Sequence, residues 1–474
     1  MADVGEKIGL RFASERDEHM PPKLERRLGV ADAAALVVSN VIGVGIFTTP
    51  GIVCGMLPRP AAILAVWALG GFLALSGAMA YAELAALKPK AGGEYVYLRE
   101  GFGRLAAFLT GWTSFVAGFS GAIAAGAIGL TSYLGRFFPA AADPSPIWSL
   151  SLGSVSATLS RRTLIALSCI VALGAVHIRG VRPGRLVQDS LAVAQIFGLL
   201  LFIVLGFAMG NGSLENLTSG ERPSPSSWLL ALIPVMFSYS GWNAAAYVAE
   251  EVREPGRSVP RALGWGTVAV TAIYLGLNAL YLYALPVREL SGRIDVADAV
   301  ADRLFGPIAA AALAVLAILI ILASLSAMTL AGPRIYYAMA RDGLFFPAAA
   351  RVHPKFGTPA VAIAAQTVWS CVLVVSGTFE QLLTYTGFAI VLFSAVAVCA
   401  LFVLRWRAPE AHRPFRAWGY PVAPAIFALA SFAIVVNAIL ESPGPSAIGL
   451  LVMAGGVPLY WLMQRRARRS GQNS

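Results

Sequence analysis

Cysteine, histidine, lysine and charge are all scarce in this chain, and each shortage excludes something. There are 4 Cys and 4 His in 474 residues. Cys54, Cys169, Cys371 and Cys399 sit inside apolar runs without metal-ligand spacing. They read as small apolar residues, so no disulfide, zinc site or other metal centre is expected, and no cofactor. His19, His177, His353 and His412 all map to the side of the chain taken below as cytoplasmic, leaving no histidine at mid-membrane for proton relay. No nucleophile stands near a candidate base, so the chain is not expected to be an enzyme. Charged residues make up 13% against 57% hydrophobic, with mean hydropathy +0.71. That is too little polar surface for a water-soluble chain of this length.

What is abundant is apolar sequence in long runs. Twelve of them approach or exceed the ~20 residues needed to cross a bilayer: 30–57, 61–87, 104–136, 161–177, 186–210, 227–250, 262–286, 307–339, 358–378, 381–405, 422–441 and 446–464. An all-α integral membrane protein of twelve transmembrane helices is therefore expected. The polar segment Met1 to Arg27 lacks an apolar core and reads as a flexible cytoplasmic tail, with a short helix around Lys23 to Arg27, rather than as a cleaved signal. With both termini inside, the cytoplasmic segments collect 28 of the 36 Lys and Arg and the external ones 8, while 9 of the 25 acids fall outside. This is the positive-inside bias. The net charge of +11 thus gives no reason to expect nucleic acid. The basic termini, Arg26-Arg27 and Arg465-Arg466 with Arg468-Arg469, read as orientation signals and contacts with anionic lipid of the bilayer. Arg outnumbers Lys 31 to 5 beside abundant Ala and Gly, the mark of a GC-rich bacterial genome, and the expected location is the inner cell membrane.

Two apolar runs carry breaks at matching places. In the first run, Ser39-Asn40-Val41-Ile42-Gly43-Val44-Gly45-Ile46-Phe47 sets two glycines one residue apart. They permit a local loss of helix that frees successive N–H groups, and the following half-helix points its positive end at the gap, where a carboxylate would fit. Glycines in membrane helices also serve as packing notches. The sixth run bears on the choice: Phe237-Ser238-Tyr239-Ser240-Gly241-Trp242-Asn243 places small residues among aromatics mid-span. Carbonyls freed there could accept from an ammonium, and the two breaks together suit a zwitterion. Lipid cannot satisfy free backbone groups, so such breaks persist only where protein encloses them or a cavity adjoins them. A pair, one in each half, points to a central binding site.

Further motifs follow in order: Tyr81-Ala82-Glu83-Leu84, Ala91-Gly92-Gly93-Glu94-Tyr95-Val96-Tyr97, the run from Glu250-Glu251-Val252-Arg253 through Val259-Pro260-Arg261, Arg341-Asp342-Gly343, and Arg413-Pro414-Phe415 followed by Trp418-Gly419-Tyr420-Pro421. With the two breaks, they make the chain resemble the amino acid–polyamine–organocation superfamily over almost its whole length. Phe237 to Asn243 looks closest to the L-type amino acid transporter light chains and their bacterial relatives. The resemblance implies the leucine-transporter fold, with a 5+5 inverted repeat (residues 30–210 and 227–405), a terminal pair of spans (422–464) and tails at 1–29 and 465–474. Helices one and six are then discontinuous symmetry mates. It also implies roles. The backbone of Ile42, Gly43, Val44 and Gly45 would bind the substrate carboxylate, and carbonyls near Phe237 and Ser240 the ammonium. Phe237 would gate the outer side, while Gly241, Trp242 and Asn243 shape the side-chain end. Val44 stands where light chains often carry a serine, which removes one hydroxyl contact.

Gln195 stands where many sodium-independent relatives carry a lysine whose ammonium substitutes for sodium. An amide braces the same helices without carrying a proton, or serves simply as a packing group. Sodium would instead need hard oxygens such as Ser324, Ser326 or Thr329 with first-span carbonyls. Asp32, Glu83, Asp189, Glu250, Glu251 and Arg334 hug the span ends, where partnership with Arg and loop backbone is their expected work. The substrate cavity is accordingly expected to be uncharged and to suit a neutral amino acid. Tyr239, Trp242 and Tyr385 keep open an aromatic seat for a cation. Asp143-Pro144-Ser145-Pro146 and Pro223-Ser224-Pro225 read as external turns. The loop between spans three and four has no cysteine, so no disulfide-linked heavy chain is expected. Asn216-Leu217-Thr218 fits a glycosylation pattern without consequence in a bacterium. These readings converge on a secondary transporter, sodium-independent and an exchanger of neutral amino acids. A cationic amino acid or polyamine carrier, or a non-transporting sensor of the same fold, stands as the alternative.

Overall fold

A computed structural model of the chain describes residues 24–43, 45–152, 155–218, 223–293, 295–376, 379–441 and 443–469. The N-terminal tail to Lys23, Val44, the last five residues and the side chain of Tyr385 lie outside the described residues.

Long apolar runs without internal charge satisfy their backbone only as helices. Among the described residues nine helices are long and apolar enough to cross a membrane, and ten if the bent pair Val30–Val41 and Gly45–Met56 counts as one. That pair turns by 49° at the glycines. Two shorter apolar helices, Ser227–Ser238 and Ala360–Ser376, occupy the places of the sixth and ninth runs. The outward faces are apolar: on Arg182–Met209, Val193, Phe197, Leu200 and Val204 are exposed, as suits a surface solvated by lipid.

Small residues bring helices together. A Cβ at Gly71 would lie 2.4 Å from Thr271 and one at Gly70 2.5 Å from Val235, so the helix Pro60–Leu87 packs directly on Pro255–Ala284 and on the sixth-run helix. Trp67, Tyr239 and Tyr274 fill this junction, with ring centroids 5.0 to 5.9 Å apart and the Tyr239 hydroxyl donating to Trp67 O at 3.0 Å.

The charged groups at the span ends are paired with arginine or with loop backbone. Arg334 and Glu251, both without solvent exposure, form a two-pronged pair at 2.7 and 2.9 Å, and Arg334 also donates to Leu330 O. Glu83 accepts from Arg405 at 2.9 and 2.6 Å, pairs with Arg413, and takes the Ala417 N–H at 2.6 Å. The stretch from Arg413 to Pro421 is thereby a strap fastened to one buried carboxylate, with the Arg405 guanidinium over the Tyr420 ring. Glu250 meets Arg341 and the Ala91 N–H, and Arg185 stands 3.5 Å from Asp32 and 3.9 Å from Asp189.

One local expectation fails and another is incomplete. Residues 24–27 are not helical. Arg27 and Leu28 instead donate to Glu251 O, and Leu28 bridges to Val252, so pairing with the chain outcompetes a single unsupported helical turn. The segment after Asp143 is more than a turn, since Pro146–Leu152 pairs antiparallel with Val155–Ser160. Its alternation of Trp148, Leu150 and Leu152 with serines is the period-2 pattern of a hairpin.

Candidate binding site between the two helix breaks

The sequence determines the first break because Gly43 and Gly45 flank a point where helical bonding stops and restarts. Ile42 ends the first half-helix, its N–H donating to Val38 O at 2.9 Å and its carbonyl accepting from Gln195 Nε2 at 3.1 Å. Ile42 therefore holds the break in place rather than offering a free N–H. The sixth-run helix ends at Ser238, and five turn residues, 239 to 243, follow before Ala244–Tyr247.

The breaks meet through Gly241. Its φ of +100° is a conformation that side chains oppose, and a Cβ there would lie 2.6 Å from Asn40 Nδ2 and 2.7 Å from Asn40 O. Asn40 Nδ2 donates to Gly241 O at 3.1 Å. The Tyr274 hydroxyl stands 3.1 Å from Val41 O and 3.0 Å from Ser238 O, offering one proton to the terminal carbonyls of both half-helices. Ser238 donates to Thr49 at 2.8 Å across the same junction.

Beside this contact is a cavity of about 130 Å³. For comparison, an engineered cavity of about 150 Å³ admits one benzene molecule, so the space suits a compact ligand. Its wall includes Asn40, Ser240, Gly241, Trp242 and Asn243 from the breaks. Of the other sequence-predicted residues, Ile42, Gly43, Gly45 and Phe237 are not in the wall, and Phe237 is 55% exposed. Val44 lies outside the described residues. Trp242 is buried edge-on against Tyr81 and Phe427, with Gly77 left bare to admit it.

Gln195 braces the fifth-run helix to the first break through Ile42, and its Oε1 has no hydrogen-bond partner among the described residues. Ser326 and Thr329 are both engaged: Ser326 Oγ is 2.9 Å from His177 Nε2, and Thr329 donates to Leu325 O at 2.7 Å. All four cysteines are unpaired, and among the described residues no cluster of His, Cys, Asp and Glu could hold a metal.

Two parts of the wall escape sequence reasoning. One is a π-helical turn, Ser114–Gly118, which interrupts the helix running from Arg104 to Leu134 and sets Ser114 and Gly118 against the cavity. Tyr336 donates to Ser114 O and Trp369 to Val116 O, satisfying carbonyls the wider turn displaces. The other is Glu94, which corrects the expectation of a cavity free of ionisable groups. Gly92 and Gly93, at φ +109° and +48°, turn the chain under Tyr247, and Glu94 follows directly. Its Oε1 accepts from Asn243 Nδ2 at 2.6 Å, from Ser394 at 3.1 Å and from the Tyr247 hydroxyl at 3.2 Å.

Comparison with known proteins places this architecture. The profile of the amino acid permease family matches residues 28–462. The chain belongs to the amino acid permease family. It is 29% identical over 453 residues to human large neutral amino acids transporter small subunit 2, covering 93% of this chain and 80% of that one. It is also 29% identical over 446 residues to the serine/threonine exchanger SteT of Bacillus subtilis, covering 94% and 98%. The mouse Asc-type amino acid transporter 1 is 28% identical over 450 residues, covering 93% and 81%. As a permease the chain is a multi-pass membrane protein of amino acid transport.

Proposed function

We propose that this permease exchanges small neutral amino acids without sodium, by alternating access around the site between the two breaks. The observation that carries the reading is the seam of Asn40 against Gly241 with a compact cavity beside it. The substrate carboxylate would approach the N–H groups that begin the half-helix at Gly45, and the ammonium the carbonyls of the sixth-run break, where Ser240 lines the cavity. Phe237, exposed beside that break, is the lid that closes over an occupied site. The twelve runs would form twelve spans with both termini in the cytoplasm of a bacterial inner membrane, residues 30–210 and 227–405 being inverted repeats. No heavy chain is needed. The small cavity and the likeness to a serine/threonine exchanger point to short side chains.

Counterflow into proteoliposomes loaded with each amino acid in turn tests the proposal. Labelled serine, threonine and alanine should accumulate at rates unchanged by replacing sodium with choline. Binding without accumulation would instead mark a sensor, and strict dependence on sodium would overturn the coupling.

A further inference from the structure

Glu94 is 4% exposed, faces the cavity, and has no cationic partner among the described residues. That separates it from Glu83 and Glu251, the other deeply buried glutamates among the described residues, which hold arginines. Asn243, Ser394 and Tyr247, all neutral, converge on Oε1, and the neutral Tyr81 phenol also acts on the carboxyl. The amide of Asn243 spends one N–H on Glu94 and, at 2.9 Å, the other on the Tyr247 hydroxyl, which in turn donates to Glu94. The network thus fixes one oxygen as an acceptor and supplies no compensating charge. An uncompensated carboxylate in such a place is costly, and burial holds the Glu94 carboxyl above the usual carboxylate range. The titratable groups facing it are phenols: Tyr81 on the helix Pro60–Leu87, Tyr97 on its own helix Glu94–Phe102, and Tyr247 beyond the sixth-run break. Ser394 is the facing group on Phe379–Arg407.

We propose that Glu94 makes the distal wall of the cavity a subsite for one positive charge, filled by a proton when the substrate side chain is neutral and by the side-chain ammonium when it is cationic. The proposal rests on the transport reading above and widens the substrate class to short cationic amino acids. A neutral substrate enters with one proton taken from water onto Glu94. A cationic substrate leaves that proton in solution and pairs with the carboxylate. Exchange of one kind for the other then moves no net charge, because each occupied cavity carries the same total. The signs follow: neutral substrates prefer protonated Glu94 and bind more weakly as pH rises, whereas cationic substrates prefer ionised Glu94 and bind more tightly.

The test is equilibrium binding to the purified full-length chain between about pH 5 and 8, with L-threonine and with L-diaminobutyrate, whose side chain ends in a γ-ammonium. Wild type should give profiles of opposite slope, each up to about tenfold per pH unit on its steep limb. Glu94→Gln keeps the acceptor oxygen but cannot ionise, so it should flatten the threonine profile and weaken diaminobutyrate at least tenfold. Parallel or flat wild-type profiles overturn the proposal, whatever the variant does. Opposite slopes that persist in Glu94→Gln overturn the assignment to this residue. Absence of binding by every amino acid at every pH would instead defeat the transport reading on which the proposal rests.

Discussion

Gly241→Ala should cost at least about 100-fold in exchange rate, on the scale by which a misplacement of about 1 Å in a reacting or binding geometry is felt. The added methyl has no free direction. It would stand 2.6 Å from Asn40 Nδ2 and 2.7 Å from Asn40 O, in a backbone conformation of φ +100° that itself opposes a side chain. Relief requires the sixth-run break to move off the first half-helix, which strains the bond from Asn40 to Gly241 O and the hold of Tyr274 on Val41 and Ser238. Gly129→Ala is the control, since a Cβ there meets nothing within 4 Å on the helix Phe119–Leu134. It should leave exchange intact, and helix propensity favours alanine there by about 0.5–1 kcal/mol. Counterflow with both variants reconstituted at matched protein density decides it. An active Gly241→Ala would show that the breaks need not touch.

Glu251→Gln should destabilise the fold by about 3–5 kcal/mol, the usual cost of stranding one partner of a buried ion pair. Arg334 would keep its charge at zero exposure with only the Leu330 carbonyl and a neutral amide for company. The double variant Glu251→Gln with Arg334→Met removes the stranded charge and should recover a large part of the loss. Thermal unfolding in detergent should rank wild type above the double variant and the double variant above Glu251→Gln. Equal loss in single and double variants would mean that packing, not charge pairing, holds this end of the bundle.

The sequence exposes the breaks because glycines in an apolar helix are conspicuous, and it exposes the paired acids because charge near a span end needs a partner. It does not show which glycine is the most tightly enclosed. Gly43 and Gly45 draw the eye in Gly-Val-Gly, yet a Cβ at Gly43 would lie 3.8 Å from Ser324 and one at Gly45 3.3 Å from Ser238, while Gly241 has no room at all. Periodicity reports which helix breaks, not which backbone leans on the break. Glu94 is missed for a related reason. It sits in a polar motif between two apolar runs, and its partner Asn243 is 149 residues away. The signal was Gly92-Gly93 immediately before it, two positions free to adopt positive φ and turn a charged residue inward. The hairpin was legible in its alternation but hidden by expecting only turns outside the membrane.

The central claim is that the space bordered by Asn40, Ser240 to Asn243 and Glu94 is where an amino acid binds. A structure determined with the best counterflow substrate present at saturation tests it directly. The account predicts ligand density in this cavity, with the carboxylate toward the main chain of the Gly43 to Gly45 break, the ammonium toward the sixth-run carbonyls, and the side chain reaching toward Glu94. An empty cavity with the substrate bound elsewhere in the bundle would contradict it.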